Sequence, residues 1–306
     1  MTWTFEVVHG PTKRPLGGLA WDGKEMLASD TPNNAILAYD PATGETRTKR
    51  KWTNRVNGIG FGIDGALYGC QEGSRRVIRM LANGSATITT TDFHGAPHNQ
   101  PHLLTVDRSG NIWFSDCHHP QLASGPAVFP MLEHQSVLRL AQGPRPQSHW
   151  HIERATFDTL RPRGVALSPD EKTLYVADTD NEPGARRELR AYPVLEDLSL
   201  GQYTLLHTFG EDGRGVHRGI EGICVDAEGR IVACAGWSRS GPGPLVMVLS
   251  PSGAVLSSHP LPVDMPVNCA FGGPGLATLY VTTAQGHLLR TDATGLTGQK
   301  THLPAA

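Results

Sequence analysis

Apolar residues in this chain come in short runs broken by polar turns, and not in the 3.6-residue stripes of amphipathic helices. The stretch Asn99–Asp116, NQPHLLTVDRSGNIWFSD, sets the pattern. Leu103, Leu104 and Val106 lead into Asp107-Arg108-Ser109-Gly110, and Ile112, Trp113 and Phe114 follow. Two β-rich runs around a short glycine-containing turn predict a β-hairpin. The same pattern returns in LAWDGKEMLASD from Leu19, IGFGIDGALYGC from Ile59 and VALSPDEKTLYVAD from Val165. It returns again in ICVDAEGRIVACAG from Ile223 and AFGGPGLATLYVTT from Ala270. Six hairpins recurring at roughly 40 to 60 residues, with no helical segments between them, indicate a repeat architecture. The expected fold is all-β: a six-bladed β-propeller of four-stranded antiparallel blades around a central channel, one domain over residues 1–306. The short run Phe5–Val8 precedes the first repeat, and residues 4–8 are assigned to complete the last blade and close the ring.

In a propeller the innermost strand of each blade lines the channel, and its first residue sits at the mouth. The residues just before the six hairpins are Gly17, Asn57, His102, Arg163, Glu221 and Asn268, which should therefore converge although far apart in sequence. With two-residue turns, counting back places Cys70 opposite Asn57 and Cys234 opposite Glu221. The longest irregular insertion, Cys117 to Gln135, reads as a surface loop of the kind that covers binding sites. Asp30, Asp116 and Asp178 end three second strands and read as caps for the loops between strands.

Composition narrows the partners. Thirty-five glycines and 23 prolines suit many tight turns. A net charge of −2 argues against a nucleic-acid surface, and no apolar run reaches the length of a membrane span. The five cysteines are scattered without CxxC spacing, and the start lacks a basic segment and apolar core, which together suggest free thiols and a cytoplasmic protein. The expected partner is a small molecule, with no organic cofactor; nothing in the sequence indicates the oligomeric state.

The segments RGVALSPDEKTLYVADTD (163–180), EGICVDAEGRIVA (221–233) and NCAFGGPGLATLYVTTA (268–284) resemble the SMP-30/gluconolactonase-like propellers, a family that includes luciferin-regenerating enzyme. NQPHLLTVDRSGNIWFSD and PLGGLAW match in pattern. The resemblance implies a lactone hydrolase with one divalent cation at the channel mouth. Its ligands would be a Glu starting blade one, an Asn starting blade four and an Asp starting blade five, with an Asn of blade three facing substrate. In this chain those positions fall on Gly17, Arg163, Glu221 and His102. A guanidinium ~4 Å from a divalent cation is repulsive by several kcal/mol even at an effective dielectric near 20. The inherited calcium-type site is therefore expected to be broken.

Two arrangements stay open. In one, Arg163 pairs with Glu221 in a metal-free site. In the other, the metal has changed to one that prefers imidazole, held by Glu221 and His102, with His94, His98, His118, His119 and His217 as further candidates. Either serves acid–base or hydrolytic chemistry. Glu221 is the candidate general base, His102 its partner acid, and Arg163 the stabiliser of an oxyanion or carboxylate. Asn57, Asn268, Asn99 and His98 are the candidate substrate contacts. A lactone hydrolase is the first reading, and "lactone" comes from the resemblance. An isomerase, cyclase or lyase using the same residues, and a non-catalytic small-molecule binder, are the alternatives.

Overall fold

Six four-stranded antiparallel sheets form the ring in the computed structural model, which describes residues 3–90, 92–118, 130–142, 150–292, 294–300 and 302–304. From inner to outer strand, blade one runs from Leu19–Trp21 to Glu45–Lys51 and blade two from Val56–Phe61 to Ala86–Thr90. Blade three runs from Gln100–Val106 to Trp150–Arg154, blade four from Pro162–Leu167 to Thr204–Thr208, and blade five from Ile223–Val225 to Val255–Pro260. Blade six is built from both ends of the chain. Pro266–Gly272, Thr278–Thr283 and Leu288–Thr291 are followed, as outermost strand, by Glu6–His9. Glu6 lies opposite Arg290 and Val7 opposite Leu289, so the N-terminal run closes the ring as its sequence predicts.

Each blade is buried on both faces, because it packs against a neighbour on either side. Second strands accordingly lose the polar alternation of a one-sided sheet: Met26–Asp30, Ile112–Cys117 and Thr278–Thr283 are buried throughout. The core lies between blades. Tyr175, Ala177 and Leu189 of blade four, for instance, pack with Ala233, Leu245 and Met247 of blade five.

The hairpin turns of blades two, three and five are one residue longer than the two-residue turns expected. Asp226 bonds Arg230 across the turn, and its Oδ1 accepts the amides of Glu228 and Arg230 at 3.0 and 2.7 Å. Asp107 accepts Ser109 N and Asn111 N in the same way, at 3.0 and 2.8 Å. The extra residue is a glycine at positive φ, Gly110 (87°) or Gly229 (85°). Two small hairpins that sequence reading missed, Asp92–Phe93 with Ala96–Pro97 and Glu211–Asp212 with Gly215–Val216, lead into blades three and five. Of the insertion between Cys117 and Gln135, residues 119–129 lie outside the described residues.

A second irregularity recurs at the start of the inner strands. In blade two Val56 faces Gln71 and Ile59 faces Gly69, so Asn57 and Gly58 together oppose Cys70. His102-Leu103 and Arg163-Gly164 bulge in the same way between Pro101 and Leu104 and between Pro162 and Val165. Backbone bonds Glu221 N to Cys234 O and Cys234 N to Gly222 O place Glu221-Gly222 opposite Cys234, and Gly17-Gly18 opposes Ser29 likewise. A β-bulge re-aims the side chain at its first position.

The second bulge residue is usually glycine, because the next blade's backbone comes very close. A Cβ on Gly18, Gly58, Gly164 or Gly222 would lie 2.5 to 3.1 Å from a carbonyl oxygen of the following blade. Hydroxyls opposite the bulges staple neighbouring blades: Ser29 Oγ donates to Asn57 O (2.5 Å), Ser115 Oγ to Arg163 O (2.6 Å) and Thr282 Oγ1 to Gly17 O (2.7 Å). At the other end of the axis the C-terminal segment crosses the turns, with Ala227 N bonded to Thr297 O and His302 Nε2 to Asp107 O. No helix is long and apolar enough to cross a membrane among the described residues.

Candidate functional site

The bulges of four blades bring one polar network together. Glu221 is its centre. Oε1 of Glu221 lies 3.0 Å from His102 Nε2 and 3.4 Å from Arg163 Nη1, while Oε2 accepts Arg218 Nη2 at 3.2 Å. Arg218 is anchored by its other Nη, which donates to Pro266 O at 2.7 Å. Behind His102, the Asn57 Nδ2 group lies 2.9 Å from both His102 Nδ1 and Glu72 Oε1. An amide nitrogen with two protons can serve both acceptors, which leaves Nε2 as the protonated nitrogen of neutral His102, facing Glu221. Glu72 in turn pairs with Arg55 at 3.2 Å.

Charge follows from this arrangement. Burial opposes the ionised form of Glu221, but Arg163, the His102 hydrogen bond and Arg218 outweigh it and hold the carboxyl well below the usual range. Burial likewise opposes charge on His102, and its hydrogen bonds to Glu221 and Glu72 win, raising its pKa. Protonation at Nδ1 would make that nitrogen a donor toward Glu72 Oε1, 3.6 Å away. Three guanidiniums thus surround two carboxylates.

The side chains of His102, Glu72 and Arg218 are each 4% exposed, while Glu221 keeps 13% and Arg163 10%. Arg163 Nε is buried without a hydrogen-bond partner, as is Asn57 Oδ1. Of the side chains in direct contact around Glu221, Glu221 itself and Arg163 are therefore the most exposed, while the unpaired Nε of Arg163 is buried.

Several expected positions need correction. In blade six, Pro266 faces Thr283 and Asn268 faces Thr282, so the extra residue between them makes Val267, not Asn268, the counterpart of Asn57 and Arg163. A one-residue slip turns a side chain to the other face. Asn268 instead accepts the amide of Cys269 at 2.9 Å and abuts Gly222. His98 is fully buried against Phe114, its ring nitrogens unpaired, and desolvation lowers its pKa to about 4. Asn99 is fully buried and fastens a loop, donating to His134 O at 2.8 Å and accepting Leu132 N at 2.7 Å. Neither contacts the network.

Cys70 and Cys234 do oppose Asn57 and Glu221. They do so because the extra turn residue and the extra bulge residue shift the count in opposite directions. The three aspartates act as caps: Asp116 accepts Asn99 N, Asp178 accepts Leu160 N and Arg161 N, and Asp30 accepts the Asn33 amide. Burial pushes Asp116 up to about 7.

The network does not fit a divalent cation. Both oxygens of Glu221 face guanidinium groups, and both nitrogens of His102 are engaged. The space beside Gly17, where a ligand side chain would start, is filled by Asn57 Oδ1. Among the described residues, no group of three or more histidine, cysteine or carboxylate side chains is placed to hold a metal. His118 bonds Leu132 O and His217 faces Asp212, away from His102; His119 lies outside the described residues.

Sequence reading missed Glu72, Arg218 and Arg55. All three follow or precede strands, outside the repeat positions. The one available signal was Arg218 three residues before Glu221 in HRGIEG.

The family model described as the SMP-30/Gluconolactonase/LRE-like region matches residues 17–285. The chain belongs to this family. Among its SMP-30/gluconolactonase-like relatives, the gluconolactonase of Zymomonas mobilis is 24% identical over 288 residues, covering 87% of this chain and 75% of that protein. The pentonolactonase of Haloferax volcanii is 30% identical over 284 residues, covering 91% of this chain and 81% of that protein. The solved structure of a gluconolactonase from Xanthomonas campestris superposes with a TM-score of 0.76 at 27% identity, over 94% of this chain and 88% of that one.

Proposed function

We propose that this protein hydrolyses a lactone, and that it does so without the divalent cation its family resemblance implies. The lactonase names of its relatives support the substrate class. The observation that carries the site assignment is the more exposed edge of the network, where the Glu221 carboxylate stands 3.4 Å from Arg163 Nη1.

In this reading, water held by Glu221 attacks the lactone carbonyl carbon. Glu221 takes the proton, and Arg163 donates to the carbonyl oxygen as it gains charge. The ring C–O bond then breaks, and the proton passes from Glu221 to the departing alkoxide. Arg163 and Arg218 keep Glu221 ionised but also make it a weak base, so most of the acceleration falls to the preorganised Arg163. His102 stands behind Glu221, where it orients the carboxylate; substrate meets Glu221 first. This replaces the expectation of a substrate-facing acid.

The test is hydrolysis of a panel of aldonolactones by wild type and Glu221→Gln. The variant should be slower by roughly 10²-fold, the low end of a positioned base's contribution, because Glu221 is a weak base here. A near-wild-type rate would remove Glu221 from the chemistry, and failure to open any lactone would overturn the activity itself.

A further inference from the structure

Between the Glu221 network and the turns at the far end, the channel holds a cavity of about 180 Å³. Apolar residues such as Ile59, Leu104, Val165 and Phe271 line it together with polar ones, and two thiols also line it, Cys224 and Cys269. They sit on the inner strands of blades five and six, with their sulfurs 3.5 Å apart. Cys224 is partly exposed and Cys269 is 3% exposed. A third thiol, Cys234, is fully buried in the cluster behind Cys269. Nothing in the proposed hydrolysis uses any of them.

We propose that Cys224 and Cys269 form an oxidisable dithiol, a modification site that hydrogen peroxide converts to a disulfide joining blades five and six. The sulfurs must approach from 3.5 Å to the ~2.05 Å of a disulfide, a small shift for two side chains meeting at a cavity wall. Either sulfur can donate in their mutual hydrogen bond; with Cys224 and Cys234 donating, the pKa of Cys269 is lowered, which favours its thiolate, the reactive form.

The steps balance. The Cys269 thiolate attacks one oxygen of the peroxide, the O–O bond breaks, and hydroxide leaves and is protonated, giving a sulfenic acid. The Cys224 sulfur then attacks the Cys269 sulfur, the S–O bond breaks, and water departs with the Cys224 proton. Two thiols and one peroxide become one disulfide and two waters.

The cross-link lies close to the hydrolytic network. Cys224 follows Glu221 by three residues, and Cys269 follows by three the Pro266 whose carbonyl anchors Arg218. Oxidation would therefore fix the spacing between the strand that starts with Glu221 and the one that holds its arginine.

The experiment uses the full chain, exposed to hydrogen peroxide, alkylated under denaturing conditions and mapped by mass spectrometry without reduction. Two of the five thiols should disappear, with the loss of two hydrogens, and a peptide pair linked through Cys224 and Cys269 should appear. Dithiothreitol should reverse it. The oxidised protein should melt higher, since the bond closes a loop between residues 45 apart. Cys224→Ser, at a partly exposed position, should abolish the cross-link while retaining the wild-type fold by circular dichroism. Retention of all five thiols, a link through Cys234, or stepwise oxygen addition to one cysteine would overturn the proposal. The wild-type map decides even if a variant fails to fold.

Discussion

The side-chain oxygen of Asn57 occupies the volume into which a β-carbon on Gly17 would project. Asn57 is not free to swing aside, since its amide nitrogen lies 2.9 Å from both Glu72 and His102. Gly17→Glu, the substitution that would supply the carboxylate expected by family resemblance, should therefore displace Asn57 and lower the melting temperature. It should gain no calcium affinity by titration calorimetry, because Arg163 and Arg218 still flank Glu221. Stoichiometric calcium binding by this variant would show that the arginines leave room for a cation.

Among the described residues Arg163 contributes one loose ion pair to the folded state, through Nη1 at 3.4 Å from Glu221. Its main effect should then be kinetic. Arg163→Met is expected to lower kcat by roughly 10²- to 10³-fold, the scale of losing one oxyanion donor. Arg163→Lys should recover part of that loss, as charge without the planar fork. Steady-state rates on the best lactone of the panel check this, and an unchanged kcat in the Met variant would place Arg163 outside the reaction.

The two titrating members of the network give stability opposite pH dependences. His102 has a raised pKa, so its contribution is complete below its ordinary value near 6.5 and is lost as pH rises through the folded value. Glu221 has a lowered one, so its contribution is present above about 4.3 and is lost only as pH falls through a much lower folded value. Calorimetric melting temperatures should fall on the alkaline side above about pH 6.5, and His102→Gln should flatten that limb. A limb that persists in the variant assigns it to another group.

Glu72 acts on His102 without reaching any exposed edge of the network. Its removal as Glu72→Gln deletes one of the two carboxylates that raise the His102 pKa. Proton NMR titration of the His102 ring should show a lower pKa than in wild type, whatever happens to turnover. An unchanged titration would reduce Glu72 to the partner of Arg55 and Asn57.

The propeller was legible because each hairpin carries a polar or glycine-rich turn, such as Asp107–Gly110 or Ser168–Lys172, between runs that must be buried on both faces. Aligning those hairpins also brought Gly17, Asn57, His102, Arg163 and Glu221 to one place. The alignment failed at Asn268 because the inner strands share a two-residue bulge that leaves no mark in the hydrophobic pattern, and in blade six Val267 is its first residue and Asn268 its second. Glu72 and Arg218 escaped because they lie off the repeat, where only the closed ring brings them to His102 and Glu221. His98 and Asn99 lie close before His102 in sequence, but the chain buries them before it reaches the bulge.

The pairing of Glu6 with Arg290 spans 284 residues. During synthesis Glu6–His9 leaves the ribosome long before its partner and must wait with open edges until Leu288–Thr291 has emerged. Glu6 and Val7 remain exposed even after closure, so the strand brings little apolar surface with which to misassemble meanwhile. A nascent chain that stops short of blade six holds five blades and a latch with nothing to engage. A protein truncated there would be recognised as unfinished by its open blade edges and not by any fault in the blades already made.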